Sequence, residues 1–352
     1  MKKFLACYLV VLLVWPLARA NQKNDRSAKS SDTQEQKDWK QKQIVAGFKI
    51  FRTNGELIKA FPGEMCIFLN DGRFLSASDQ SLSMYNLDSS IAWKIAGHFH
   101  HQINLSLDKK TILAIASENI NENQKMVRYC VLMQIDLDGQ IIHRLSTKKI
   151  IDDLKLKPMT WPSYWDKSFP SDIEATHFNS FYEVPPQIKS LKFLSGGEFV
   201  ANSLELGTFV IAKDFSRAID HFYVESSIQN NIHDVQIDKF GRIVYFNNLR
   251  KSQSGSQYST VEILDLKTKK NVFEFQANPK EMFFSPACGG VQILEDQRLL
   301  ISTRLSGYFI YNMRRKKIEY SNLMSSGMIN WEPFMIQQIK LVELKDFLKH
   351  WQ

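Results

Sequence analysis

Three histidines stand at the head of similar strand pairs: His101 in HFHHQINLSLDKKTILAIAS, His177 in THFNSFYEVPPQIKSLKFLSGGEFVANS and His233 in NIHDVQIDKFGRIVYFN. Imidazole is neutral and nucleophilic near neutral pH, and it can carry a proton there. Histidines at one position of separate repeats converge on one axis, so these three are candidates for a single site. Two further copies of the strand pair put Cys66 (GEMCIFLNDGRFLSAS) and Gly290 (CGGVQILEDQRLLIST) at or near that position. His98 and His100 sit close before His101 and raise the alternative of a metal cluster. Strand alternation, however, places His98 and His100 on one face and His101 on the other. His143, His221 and His350 fall on outer hairpins or the tail and read as solvated.

The elements that must position the histidines are hairpins. Period-two alternation with Asn-Gly, Asp-Gly and lysine-rich turns dominates after residue 44. Histidine-type hairpins are expected near 65–78, 100–116, 188–203, 233–247 and 289–303. A second type (strand, polar turn, strand) is expected near 48–61, 82–95, 130–145, 209–223, 260–275 and 308–320. The chain therefore starts on an orphan second-type hairpin and finishes on an unpaired alternating run, FMIQQIKLVEL at 334–344. A four-stranded antiparallel unit recurring at this spacing predicts an all-β fold, a six-bladed β-propeller whose last blade is closed by strands from both termini. Closure removes the free sheet edges. The segment KKIIDDLKLKPMTWPSYWDKSFPSDIEA reads as an ordered loop carrying Trp161, Tyr164, Trp165 and Phe169, and the tail KDFLKHWQ as a short helix.

Residues 1–20 have the make-up of a secretory signal peptide. Lys2 and Lys3 precede an apolar run from Phe4 to Trp15 and an Ala18-Arg19-Ala20 cleavage pattern. Residues 21–43 are almost wholly polar and predict a disordered linker, and residues 44–352 form the propeller domain. An exported protein, periplasmic or extracellular, without stable membrane insertion after leader removal is the expectation. Removing Lys2, Lys3 and Arg19 with the leader lowers the formal net charge from +8 to about +5, mild for a chain this long, and no arginine-rich patch interleaves with aromatics, so nucleic acid is not an expected partner. Beyond the leader only Cys66, Cys130 and Cys288 remain, which permits one disulfide at most or three thiols.

Four short motifs in order resemble the bacterial arylsulfotransferases: His100-His101-Gln102-Ile103, Thr176-His177-Phe178-Asn179-Ser180, Ile232-His233-Asp234-Val235, and Ser285-Pro286-Ala287-Cys288-Gly289-Gly290-Val291-Gln292. The resemblance covers most of the chain after residue 90. It implies a six-bladed propeller that moves a sulfuryl group from an aryl sulfate to a phenolic acceptor without a cofactor or a metal. It also implies His233 as the nucleophile that becomes a sulfohistidine, His177 and Asn179 as holders of the sulfuryl oxygens, and His101, with His100 as the spare, as the proton carrier. The family's aspartate after the histidine pair is Gln102 here. The family's arginine after the T-H-x-N strand falls in Ala201-Asn202-Ser203-Leu204-Glu205, and Arg304 in ISTRLSG is the candidate cation at a matching strand end. Asp234 is placed to fix the tautomer of its neighbour His233. The alternative is a non-catalytic propeller binding a small aromatic anion or a partner protein at the same mouth. A quinone-dependent propeller would carry a G-x-x-x-W repeat at the end of each blade, and no such recurring series is visible in the sequence.

Overall fold

In the computed structural model the chain folds into β1 (Gln43–Ala46), β2 (Lys49–Arg52), β3 (Leu57–Ala60), β4 (Met65–Phe68), β5 (Phe74–Ala77), β6 (Ser81–Tyr85) and β7 (Ile91–Ala96). Next come β8 (Phe99–Leu105), β9 (Thr111–Glu122), β10 (Lys125–Asp136), β11 (Ile141–Ser146), the helix α1 (Thr147–Leu154) and β12 (Ile173–Glu174). Then follow β13 (Phe178–Glu183), β14 (Phe199–Ser203), β15 (Gly207–Ile211), β16 (Ala218–Phe222), β17 (Ile232–Ile237), β18 (Arg242–Lys251), β19 (Gln257–Asp265) and β20 (Lys270–Phe275). The last are β21 (Gly290–Ile293), β22 (Arg298–Thr303), β23 (Gly307–Asn312), β24 (Lys317–Asn322) and β25 (Ile339–Val342). The structure describes residues 43–46, 49–52, 57–60, 65–69, 71–160, 171–188, 194, 196–224, 232–251, 257–276, 285, 289–294, 297–303, 307–322 and 339–342. The leader, almost all of the linker, Trp161 to Phe169, Cys288, Arg304 and the tail helix lie outside these residues.

The strands make an all-β propeller. β4–β7, β8–β11, β13–β16, β17–β20 and β21–β24 each pair antiparallel in chain order, and β25 pairs with β1 ahead of β2 and β3. Middle strands such as β14 and β15 are buried along their whole length, whereas β7 is largely exposed. That gradient is what face-to-face stacking of sheets requires, because only the outermost strand has a solvent face. Apolar side chains fill the gaps between sheets. Leu113, Ile115 and Leu132 of one sheet, for example, pack with Phe178, Phe181, Phe199 and Phe209 of the next.

The outermost strands share one device. The register shifts where β3, β7, β11, β16, β20 and β24 leave their turns. In three of them the skipped residue is an exposed apolar one: Ile142, Ile219 and Val272, at 46%, 40% and 51% exposure. A bulge twists an edge out of line with an incoming strand, which lets an apolar edge stay unpaired in water. The turn before β11 needs Gly139 at φ 87°, with a Cβ there falling 2.7 Å from the Trp93 ring.

Two expectations are corrected. The third histidine-type hairpin is not at 188–203. Its first strand is β13, beginning directly after His177 and pairing with β14. The apolar run that begins at Ile188 imitates a strand, but Pro185 and Pro186 cut it off from β13, and residues 189–193 lie outside the described residues. The start of the expected loop is the helix α1, capped by Ser146 and ended by Lys155 at φ 53°, with Ile150 and Ile151 buried. The pair Lys148–Asp152, at 2.9 Å, lies one helical turn apart.

Candidate active site

The histidines are brought together by irregularity in regular strands. β8 shifts register between Phe99 and Ile103, β13 between Phe178 and Ser180, and β17 between His233 and Gln236. The corresponding strands β4 and β21 pair without a shift. His101 and Asp234 sit in these bulges at φ 61° and 53°. The extra residue re-aims a side chain off the alternating pattern. This is how His100 and His101, neighbours in the chain, both turn to the same cluster.

The same strands are clamped to one another by polar side chains. Gln102 Oε1 accepts from Phe181 N at 2.7 Å, and Asn104 Nδ2 donates to Phe181 O at 2.9 Å. Ser180 Oγ accepts from Val235 N at 3.1 Å. Asp234 Oδ2 accepts from Val291 N at 2.5 Å, and Gln236 Nε2 donates to Val291 O at 2.6 Å. Gln102 with Asn104, and Asp234 with Gln236, thus grip both backbone groups of one residue in the next sheet. The fold needs an acceptor at these positions, and either an amide or a carboxylate supplies one. Gln102 adds donors: its Nε2 lies 3.0 Å from Asp234 Oδ1 and 2.6 Å from the Tyr182 hydroxyl. Tyr182 also donates to Asp234. Burial, together with the Asp234 carboxylate, pushes the Tyr182 phenol well above its usual value, so it stays a donor.

The imidazole rings form a row. Ring centroids of His101 and His177 are 4.4 Å apart, those of His100 and His101 4.7 Å, and those of His98 and His100 5.3 Å. His177 Nδ1 donates to Glu174 Oε1 at 2.7 Å, and the same oxygen meets Arg128 Nη2 at 3.0 Å. This trio follows from register: β12 runs parallel to β10 with Glu174 opposite Arg128. Burial alone would raise the Glu174 carboxyl, but His177 and Arg128 outweigh it and hold the group below its usual range. Glu174 is therefore an acceptor, and His177 carries its hydrogen on Nδ1.

His233 is buried and held by Asn248. Asn248 Nδ2 donates to Ser285 O at 2.7 Å, which fixes its amide so that Oδ1 is the atom 2.5 Å from His233 Nδ1. His233 accordingly bears its hydrogen on Nδ1 and a lone pair on Nε2. Burial drives its pKa down to about 4, against the opposing pull of Asn248 and with a further push from His177. Burial also takes His100 and His101 well below the usual histidine value, reinforced by neighbouring imidazoles. Behind the row, Cys130 is a buried thiol pushed up to about 12 by burial. It lies 3.9 Å from His100 Nε2, with its Sγ donating to Thr176 O at 3.3 Å. Cys66 is likewise a free, buried thiol.

A buried neutral histidine makes stability depend on pH. Below its ordinary pKa near 6.5 the unfolded His233 binds a proton that the folded one refuses. The stability present above pH 6.5 is therefore lost as pH falls towards about 4, where the native ring also protonates. That loss is roughly 3 kcal/mol for His233 alone, with His100 and His101 acting in the same direction. Urea denaturation across this range should show it, and His233→Leu should flatten the slope. An unchanged slope in that variant would count against a neutral buried His233.

Of the expected site residues, His101, His177 and His100 lie in ring contact, and His233 interacts electrostatically with His177 and His101. Arg304 lies outside the described residues. Asn179 donates its Nδ2 to Ile232 O at 2.8 Å, and its Oδ1 accepts from Asn202 Nδ2 at 3.2 Å. Its amide thus holds the residue preceding His233. Asp234 serves the inter-sheet clamp, while Asn248 fixes the tautomer of His233. His143 and His221 are not merely solvated: they stack on Phe215 and Phe209 at 5.3 Å and 4.6 Å. Asn248, Glu174, Arg128 and Tyr182 escaped the sequence reading. Signals for two of them were present: a carboxylate three residues before His177, and a lone arginine in the apolar strand around Cys130. Among the described residues no group of three His, Cys, Asp or Glu side chains is placed to hold a metal ion, and no helix is long and apolar enough to cross a membrane.

No protein-family model matches the sequence, and no curated protein is significantly similar to it. Solved structures are similar in fold. A protein of unknown function from Bacteroides caccae superposes with a TM-score of 0.55 at 11% identity, covering 86% of this chain and 98% of that one. The WD40 domain of Pan2 from Neurospora crassa gives a TM-score of 0.42 at 9% identity, over 78% of this chain and 73% of that one. At such identity the likeness to the Bacteroides protein speaks to the fold alone.

Proposed function

We propose that this site transfers a sulfuryl group from an aryl sulfate to a phenolic acceptor by way of His233. In the first half, Nε2 of His233 attacks sulfur, the N–S bond forms, the S–O bond to the aryl group breaks, and the electron pair leaves on the phenolate oxygen. A phenolate, whose conjugate acid has a pKa of ~10, departs with little protonation. The hydrogen stays on Nδ1, donated to Asn248 Oδ1, so the sulfated ring carries a delocalised positive charge and is itself a good leaving group. In the second half the acceptor phenol gives its proton to neutral His101 and its oxygen attacks sulfur. The N–S bond then breaks and its electron pair returns to Nε2. His177, whose Nδ1 hydrogen is held by Glu174, stands beside His101 against the sulfuryl group. Asn179 sets the backbone beneath His233.

One observation carries this reading: the Asn248 amide, pinned by Ser285 O, leaves His233 Nε2 with the lone pair. A non-catalytic domain binding an aromatic anion is the second reading, and the engagement of Asn179 with Ile232 O favours it. Rapid-quench treatment with 4-methylumbelliferyl sulfate, followed by peptide mapping, separates the two. Sulfuryl transfer is expected to add one sulfuryl group to the peptide bearing His233. Folded protein that releases no phenol and gains no sulfuryl group would move the assignment to binding. The leader-like segment at 1–20 fits delivery of such an enzyme to the periplasm or the outside of the cell.

We further propose that the propeller has six blades and that the last is sewn from both ends of the chain. Gln43 opposite Val342 and Ala46 opposite Ile339 support this, as do β25 lying against β21 and β22 and β1 lying against β4. Truncation of residues 334–352 should then remove a ring-closing strand and lower the urea midpoint markedly. An unchanged midpoint and near-ultraviolet circular dichroism would rule this closure out.

A further inference from the structure

The charge around the imidazole row is set by an ion pair that sulfuryl transfer does not by itself require. Arg128 and Glu174 are both buried, at 5% and 2% exposure, and meet at 3.0 Å. The guanidinium charge is answered before any ligand arrives. Glu174 Oε1 takes both Arg128 and His177, while Glu174 Oε2 is buried with no hydrogen-bond partner. A carboxylate that leaves one buried oxygen unsatisfied is costly as a mere hydrogen-bond acceptor, and its charge is what the site gains. The other buried carboxylate of this ring, Asp234, is held by Gln102, Tyr182 and Val291 N and adds no positive charge. The row itself is made of imidazoles, with the Nδ1 hydrogen of His177 taken by Glu174.

We propose that Glu174 is a specificity-determining residue. By cancelling Arg128 it makes the site accept monoanionic sulfate or sulfonate groups and refuse dianionic phosphate esters. The inference rests on the sulfuryl-transfer reading only in placing the bound oxyanion against His101 and His177. A site whose fixed charges cancel can hold one charge spread over three oxygens. A second charge raises the cost of leaving water about fourfold, since the Born term grows with the square of the charge. A sulfate monoester carries one negative charge at neutral pH, whereas a phosphate monoester, with its second pKa near ~6, carries almost two. Without Glu174 the Arg128 charge would no longer be offset by that carboxylate, and a dianion would gain more from it than a monoanion.

The test is equilibrium binding of two probes to the full chain at about pH 8, where the phosphate is fully dianionic. The probes are 4-nitrobenzenesulfonate, whose sulfur is bound to carbon and is not transferable, and 4-nitrophenyl phosphate. The wild type is expected to favour the sulfonate by about tenfold or more, and Glu174→Gln should erase or invert that ratio. The double variant Arg128→Gln/Glu174→Gln removes both charges and should restore the sulfonate preference. It also guards against Glu174→Gln failing to fold around a buried guanidinium. Equal affinity of the wild type for both probes, no binding of either, or loss of preference in the folded double variant overturns the proposal. So does equal weakening of both probes by a folded Glu174→Gln, the outcome if Glu174 only orients His177. Absence of a sulfated His233 peptide alongside the expected ratios would remove the transfer reading and leave this one standing.

Discussion

His233→Ala should abolish the sulfated peptide and lower aryl sulfate turnover by ~10⁴ or more, the scale on which removing a covalent nucleophile acts. Asn248→Leu should be the more informative variant. It preserves bulk but frees Nδ1, and an imidazole with its hydrogen on Nε2 cannot attack. Loss of the correct tautomer costs up to ~10⁴ in the best-known catalytic histidines, so a fall of ~10²–10⁴ is expected, mainly in kcat. Asn248→Asp retains an acceptor for Nδ1 and should recover part of that loss. Its carboxylate would favour the protonated ring, so the acid limb of the pH–rate profile should move upwards from the value near 4 that burial imposes on His233. If Asn248→Leu turned over at the wild-type rate, His233 Nε2 would not be the attacking atom.

Asp234→Ala is expected to be among the most destabilising single changes in the protein. The carboxylate accepts from Gln102 Nε2, the Tyr182 hydroxyl and Val291 N, and it is 4% exposed. Removing it takes an acceptor from three buried donors and loosens the contact between successive first strands. Unsatisfied buried donors at ~1–3 kcal/mol each, partly relieved by entering water, give a loss of ~3–5 kcal/mol. Alanine also tolerates the φ of 53° at this bulge less well than Asp or Asn. Asp234→Asn should therefore cost less, since its oxygen can still serve Gln102 and Tyr182 while its NH₂ opposes Val291 N. Urea unfolding would measure both, and a loss below ~1 kcal/mol in Asp234→Ala would mean that the clamp contributes little.

The strands themselves were legible in the chain because their signal is local. Alternation, Asp-Gly turns and the order of two hairpin types identified β4–β5, β6–β7, β8–β9, β10–β11 and most of the later pairs. Where a local signal misled, a competing local rule was at work. Ile188 to Leu194 has the composition of a strand but follows two prolines, and the Lys-Lys-Ile-Ile-Asp-Asp run of α1 was masked by the proline and aromatic residues after it.

The histidines were visible for the same reason, since repeated positions can be compared along the chain. Their partners were not. Glu174 reaches Arg128 through a parallel pairing between distant segments, and Asn248 reaches His233 across β17 and β18. Gln102 meets Asp234 from two sheets away, a separation of 132 residues. Residue types and their periodicity thus determined an all-β repeat with imidazoles at matching positions, because each strand's alternation is written in its own few residues. Only the tertiary structure decided which imidazole nitrogen is bare and which cation is already answered. Tautomer and local charge are set by groups that burial and register bring within about 3 Å, and no spacing along the chain encodes that distance.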